Sequence, residues 1–155
     1  MVSTLKLTKI QIPNSDSDVL SFNSSTGIMT FHKDIKGEGT NTTNLQQGLA
    51  KAWINFDGTA VDGTADLTGV NDSFNLSSLV DNGTGIHTVN ISSDMGNTNY
   101  NITVTDGQTQ YGRLLAIVES DAIATGSCKV LSGNASTGGA LDAEYFSVLI
   151  HGDLA

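Results

Sequence analysis

From Ala52 to Val104 the chain alternates apolar and polar residues with period two, and that periodicity limits it to β-structure. Ala52, Ile54 and Phe56 fall on one side of a strand, and Trp53 and Asn55 on the other. Phe74 and Leu76 open a strand that runs to Val80, while His87, Val89 and Ile91 line one face of its return partner. Tyr100, Ile102 and Val104 repeat the pattern. Between these runs stand Asp57-Gly58, Asp62-Gly63, Asp81-Asn82-Gly83-Thr84-Gly85 and Asp106-Gly107, residues that supply turns. Strands at roughly 8–12-residue spacing with turns between them predict a sandwich or barrel. No segment keeps helical periodicity over three turns, so the expected fold is all-β.

The remaining chain extends this reading. Leu114 to Val118 is a continuous apolar run, predicted to be a strand buried on both faces, and Gly126 to Leu131 is a short strand holding Cys128. Gly133-Asn134-Ala135-Ser136-Thr137-Gly138-Gly139 reads as a loop, and Tyr145 to Ile150 as the closing strand. At the amino-terminal end, Leu5 and Leu7 alternate in one phase and Ile10 and Ile12 in the other, a slip that predicts a bulge. Pro13 and the Asn-Ser-Asp-Ser-Asp after it predict a turn. Leu20 and Phe22, Asn23-Ser24-Ser25-Thr26-Gly27, and Ile28 to Phe31 predict a hairpin with glycine in the left-handed position. Residues 37–50 are polar and aperiodic, with room for one helical turn around Leu45 to Ala52. The expected organisation is a small β-rich segment at 1–36, a polar linker at 37–50 and an antiparallel β-sandwich or jelly-roll-like knob at 51–155.

Composition excludes several function classes. Apolar residues make up 38% and charged residues 15% of the 155-residue chain, both below the globular norm. Ser, Thr, Asn and Gly fill the difference, which suits a β-protein with many polar turns or a subunit whose core is completed by its copies. A net charge of −9, with no cluster of Lys or Arg, argues against nucleic-acid binding. One cysteine, Cys128, permits no intrachain disulfide. No charged n-region with an apolar stretch opens the chain and no run approaches the ~20 apolar residues of a membrane span. Synthesis in a reducing cytoplasm without membrane insertion is therefore expected.

The chemistry-bearing residues fit turns and strands better than a catalytic site. His32, His87 and His151 lie in or beside predicted strands and match no zinc pattern. Each reads as a strand residue with a satisfied hydrogen bond, the alternative being a ring of one histidine per subunit around a three-fold axis. No Gly-x-Ser-x-Gly elbow occurs, and no acidic pair stands out as the two carboxylates of a glycosidase. Asp16 and Asp18 follow Pro13 and read as turn residues. Asp57, Asp62 and Asp66 could offer oxygens to calcium, but their spacing departs from an EF-hand and favours plain loops. No metal or other cofactor is expected. Asn75, Asn82, Asn90 and Asn101 begin Asn-x-Ser/Thr sequons, several inside predicted strands where a glycan would block packing. Sugar binding by exposed aromatics and amides selects Trp53, Tyr100 and Tyr111. Trp53 fits a core or subunit interface, whereas Tyr111, with Gln108 and Arg113 in its loop, is the candidate glycan contact.

Several strings resemble those of bacteriophage tail-fibre and virion structural proteins. They are Lys51-Ala52-Trp53-Ile54-Asn55-Phe56, Ser73-Phe74-Asn75-Leu76-Ser77-Ser78, Asp81-Asn82-Gly83-Thr84-Gly85, residues 95–100 and the closing Ser147-Val148-Leu149-Ile150-His151-Gly152-Asp153. The opening Ser3-Thr4-Leu5-Lys6-Leu7-Thr8-Lys9-Ile10-Gln11 is similar to the start of many phage fibre-like proteins. The resemblance implies a non-enzymatic, trimeric virion protein displayed on the particle surface, anchored by its amino-terminal segment and presenting a β-rich knob. The chain lacks a repetitive shaft, which brings capsid decoration or a head fibre into play beside a short tail fibre. Partners would be sister subunits and capsid or tail proteins, with Leu5, Leu7, Ile10, Ile12 and Trp53 as interface residues. The alternative is a receptor-binding tip that recognises host surface glycan.

Overall fold

The computed structural model describes residues 9–11, 18–31, 35–36, 42–43, 48–107 and 114–155. The chain divides into two compact units, Met1–Leu45 and Gln46–Ala155. Among the described residues the architecture is all-β.

In the first unit, strands β1 (Lys9–Gln11), β2 (Asp18–Phe22) and β3 (Met29–Phe31) form an antiparallel sheet in that order. The β1–β2 register shifts between Ile10 and Gln11, at the predicted phase slip. The β2–β3 turn follows the sequence reading: Gly27 has φ 70°, and Asn23 Oδ1 accepts from the amides of Ser25 (3.0 Å) and Thr26 (3.1 Å). Strand β4 (Ile35–Lys36) pairs with β5 (Thr42–Thr43). Part of the expected linker is therefore strand-paired onto the segment before it.

The second unit contains β6 (Ala50–Phe56), β7 (Val70–Phe74), β8 (Leu76–Gly83), β9 (Ile86–Ile91), β10 (Asn101–Gly107), β11 (Leu114–Val118), β12 (Ser127–Asn134), β13 (Gly139–Ala140) and β14 (Tyr145–His151). Strand β6 starts at Ala50, so the helical turn considered across 45–52 has no room beyond Leu49. Two antiparallel sheets result. One has the order β10-β14-β6-β7; the other runs β11-β12-β9-β8, with β13 added to β12. The chain crosses between sheets after β7, β9, β10 and β13.

Alternation turns Ala52, Ile54, Phe56, Phe146, Val148 and Ile150 of the first sheet towards Leu79, Val89, Ile91, Cys128 and Val130 of the second, in a single apolar cluster. Phe56 and Phe146 stack with centroids 5.2 Å apart. Each fully buried large apolar side chain contributes about 1.5–3 kcal/mol, so this seam is the main source of stability.

Three sequence expectations need correction: the strand through Phe74 and Leu76, the loop at 133–139 and the double-sided burial of Leu114 to Val118. Phe74 and Leu76 do not share a strand: Phe74 ends β7 and Leu76 begins β8, in different sheets. The turn expected within 81–85 is found there, at Thr84-Gly85, with β8 continuing through Asn82 and Gly83 and a bulge between Asp81 and Gly83. Gly85 has φ 71°, and a Cβ there would collide with the Ser132 and Leu141 backbone, which explains the glycine. The 133–139 stretch is a hairpin, with Gly133 facing Ala140 and Asn134 facing Gly139. The predicted double-sided burial of β11 also meets its position at a sheet edge, where Ala116 and Val118 are only half-buried.

Asn75 makes the corner between the sheets. Its φ is 58°, the one positive value at a non-glycine residue among the described residues. Its Nδ2 donates to the carbonyls of Lys51 (2.9 Å) and Ser93 (3.3 Å), and its Oδ1 accepts from the Ser93 amide (2.9 Å). Asparagine is suited to this position because its short amide stabilises the left-handed backbone locally. Asn75→Ala loses three hydrogen bonds and strains the backbone, an expected destabilisation of about 2–3 kcal/mol; Asn75→Gly keeps the backbone and falls about 1 kcal/mol less. Urea denaturation of the two variants checks the order, and an Asn75→Ala protein as stable as wild type would remove this role.

Candidate subunit interface

Strand register builds one row across the outer face of the first sheet, apolar over β14, β6 and β7. Thr103 of β10 opposes Leu149 of β14, Leu149 opposes Trp53 of β6, and Trp53 opposes Phe74 of β7. Trp53 and Leu149 are half-buried, whereas Phe74 is 54% exposed. Tyr145, on the same outer face of β14, is 52% exposed. Trp53 is therefore not a core residue, and its aromatic surface adds to a sheet face.

The neighbouring row is polar and internally bonded. Thr105, Ser147, Asn55 and Asp72 lie side by side across the four strands. Asn55 Nδ2 donates to Ser147 Oγ at 2.9 Å, and Asn71 Nδ2 donates to Asn55 Oδ1 at 3.0 Å. An aromatic and aliphatic centre beside a satisfied polar margin is the composition of a protein–protein interface. At one end, a groove of about 440 Å³ is lined by Leu49, Lys51, Phe74, Asn75, Ser93 and Leu154. Leu49 is 53% exposed and Leu154 stands beside it, which continues the apolar surface past Phe74.

The sequence-selected chemical residues are dispersed. His87 is buried, and neither ring nitrogen has a hydrogen-bond partner, contrary to the satisfied strand histidine expected. Packing explains it: Phe56 meets the ring edge-on at 5.1 Å, and Gly58 comes so close that a Cβ there would sit 3.2 Å from Cε1. Burial lowers the imidazole pKa, opposed by the nearby Gly58 backbone and by Asp81 and Asp142. Such a ring, enclosed within one subunit, cannot ligate a metal on a shared axis. His151 ends β14, half-buried. The Cys128 thiol is buried and pushed up to about 12, which makes it inert at neutral pH. Tyr100 is also buried, with its phenol raised to about 12 by burial and by Cys128. Its hydroxyl reaches the Ala124 and Ser127 carbonyls at 2.7 and 3.0 Å, so it is a packing residue rather than a sugar platform.

Asp57, Asp62 and Asp66 each accept from the amide two residues on, those of Thr59 (2.9 Å), Thr64 (2.7 Å) and Thr68 (2.6 Å). Three successive Asx turns thus shape the β6–β7 connection. Among the described residues no group of three or more His, Cys, Asp or Glu could hold a metal ion. The sequon residue Asn90 donates to Ser78 Oγ at 2.9 Å and Asn101 to Thr103 Oγ1 at 3.3 Å, both within sheets. Among the described residues no helix is long and apolar enough to cross a membrane.

Other expected positions fall elsewhere. Ile10 lies on β1 opposite Leu20, and Asp18 on β2 opposite Gln11. Leu5, Leu7, Ile12, Asp16, His32, Gln108, Tyr111 and Arg113 lie outside the described residues. Sequence reading missed Phe74 and Leu149 as companions of Trp53. Alternation put each on a strand, but only the register reveals that they are neighbours. The chain matches no protein-family model, no curated protein and no solved structure.

The buried imidazole makes a signed prediction. Its folded pKa lies below the unfolded value near 6.5, so above 6.5 the neutral ring matches both states and stability is intact. As pH falls from 6.5 towards the folded pKa, the unfolded chain takes up a proton that the native state refuses. Stability is then lost at up to about 1.4 kcal/mol per pH unit. His87→Leu is expected to remove this slope, measured by urea denaturation at several pH values between 7 and 4. An unchanged slope would assign the acid sensitivity to other groups.

Proposed function

We propose that this chain is a non-enzymatic, self-associating structural subunit of the bacteriophage virion-surface type. Three copies would join through the outer face of the β10-β14-β6-β7 sheet. Residues 1–36 would dock onto the capsid or tail, and the larger unit would form the outward knob. The observation that carries the reading is the apolar row Leu149–Trp53–Phe74, continued by Leu49 and Leu154, on a face that one copy leaves open to water. Covering aromatic surface at roughly 25 cal/mol per Å² favours association, and closed symmetry multiplies a single contact around the ring. The resemblance of the 51–56, 73–78 and 81–85 strings to phage fibre modules supplies the virion context.

The expected solution species is a trimer, read from the molar mass in sedimentation equilibrium. Trp53→Glu and Phe74→Glu, placed on the outer face, should yield monomers that keep the wild-type far-ultraviolet spectrum of the sheets; Trp53 is the sole tryptophan, so its loss alone alters the near-ultraviolet region. Density for the chain on the surface of an intact particle would support its location. A wild-type protein that stays a folded monomer at high concentration would end the proposal.

A further inference from the structure

We infer that Asn82-Gly83, at the bulge of the β8–β9 hairpin, is a self-modifying site at which the asparagine side chain cyclises onto the backbone and loses ammonia. The chain has one Asn-Gly step, and the fold places both reacting groups beside groups that assist the reaction. The backbone amide of Gly83, the nucleophile, donates to Asp81 Oδ1 at 2.7 Å. The carbonyl oxygen of the Asn82 side chain, where negative charge develops, accepts from the Thr88 hydroxyl at 2.6 Å. A base on the attacking nitrogen and a donor on the developing oxyanion are the two forms of assistance that acyl transfer requires.

The surroundings leave room for the ring. Asn82 is the extra residue of the bulge, and both it and Gly83 are exposed. A Cβ on Gly83 would meet nothing within 4 Å, so the space beside its Cα is open. The Asp-Gly steps at 57, 62 and 106 carry no amide leaving group, and the carboxylates of Asp57 and Asp62 already serve as turn acceptors.

The steps balance as follows. The Gly83 nitrogen bonds to Asn82 Cγ as its proton passes to Asp81, and the tetrahedral oxyanion is held by Thr88. The intermediate collapses, the C–N bond to the side-chain nitrogen breaks, and that nitrogen leaves as ammonia with the proton returned from Asp81. The product is a five-membered succinimide. Solvent water opens it at either carbonyl, leaving aspartate or isoaspartate at position 82, with no net oxidation. The second product adds a backbone methylene to the hairpin, and both add a negative charge next to Asp81, facing the strand that carries His87.

The test uses the folded full-length chain, aged at neutral pH and body temperature and followed by peptide mapping and isoaspartyl methyltransferase labelling. The expected result is that position 82 converts before every other asparagine, with a mass gain of about 1 Da. Thr88→Val should slow conversion roughly three- to tenfold, less than the loss of a donor in a dry oxyanion hole because water reaches this site. Thr88→Ser should retain the wild-type rate. The near-ultraviolet spectrum of each variant checks that the hairpin's setting is preserved. Faster conversion at another asparagine, or an equal or faster rate in folded Thr88→Val, would overturn the inference.

Discussion

Phe56 and His87 meet edge to face across the gap between the two sheets, and the larger unit depends on that contact remaining dry. A sandwich is stabilised by apolar inward faces, and His87 occupies an inward position with neither ring nitrogen hydrogen-bonded, although the Gly58 backbone, Asp81 and Asp142 lie near enough to favour its charged form. It is tolerated as a neutral, aromatic space-filler. Gly58 has no Cβ and so lets its backbone close over the ring, while its amide donates to the Ala143 carbonyl at 2.8 Å. The same end of the sandwich is tied by the Asp81 amide to the Asp62 carbonyl (2.9 Å) and by the Ser132 amide to the Gly85 carbonyl (2.8 Å). Apolar packing and loop closure thus reinforce each other around one residue. A charged imidazole would disturb both.

The low apolar and charged fractions make sense in this setting. Much of the Asp and Asn serves as local acceptors for backbone amides: Asp57, Asp62, Asp66 and Asp81 in the connections around the seam, Asn97 for the Asn99 amide and Asn134 for the Ser136 amide. Each such bond satisfies a turn donor that would otherwise depend on water, and it orders a loop with little hydrophobic burial. Read as composition, these residues suggest surface. Read as geometry, they are the means by which short strands are joined.

Alternation made the strands legible, and with them the core face: Ala52, Ile54, Phe56, His87, Val89 and Ile91 are all buried where period two places them. Glycine and Asx residues likewise marked the hairpin at 23–27 and the connection at 57–69. What stayed hidden was long-range. Nothing local distinguishes Phe74–Asn75–Leu76 as a crossing between sheets from an uninterrupted strand. The left-handed backbone of Asn75 is maintained by Lys51 and Ser93, which are remote in sequence. The row Leu149–Trp53–Phe74 was illegible for the same reason, since strand order and register place its members together.

Register also bears on which surface of the unit can receive another chain. Sheets with open edges invite strand addition, and this one carries features that oppose it. The outer strand β7 exposes Asn71 and Asp72. At the opposite edge, near the end of β10, stands Asp106, whose register partner Phe146 is fully buried. Its Oδ2 is buried without a hydrogen-bond partner, and burial raises the carboxyl pKa. A carboxyl group turned inwards near the end of an edge strand, with one oxygen unpartnered, is costly to cover further, so pairing another strand over it is disfavoured. The sheet face carries no such penalty: its apolar row lies beside polar groups that already have partners within the subunit, including Asn55, Asn71 and Ser147. Association through the face would bury carbon and leave those hydrogen bonds intact, whereas association through the Asp106 edge would further bury a carboxyl oxygen that has no partner.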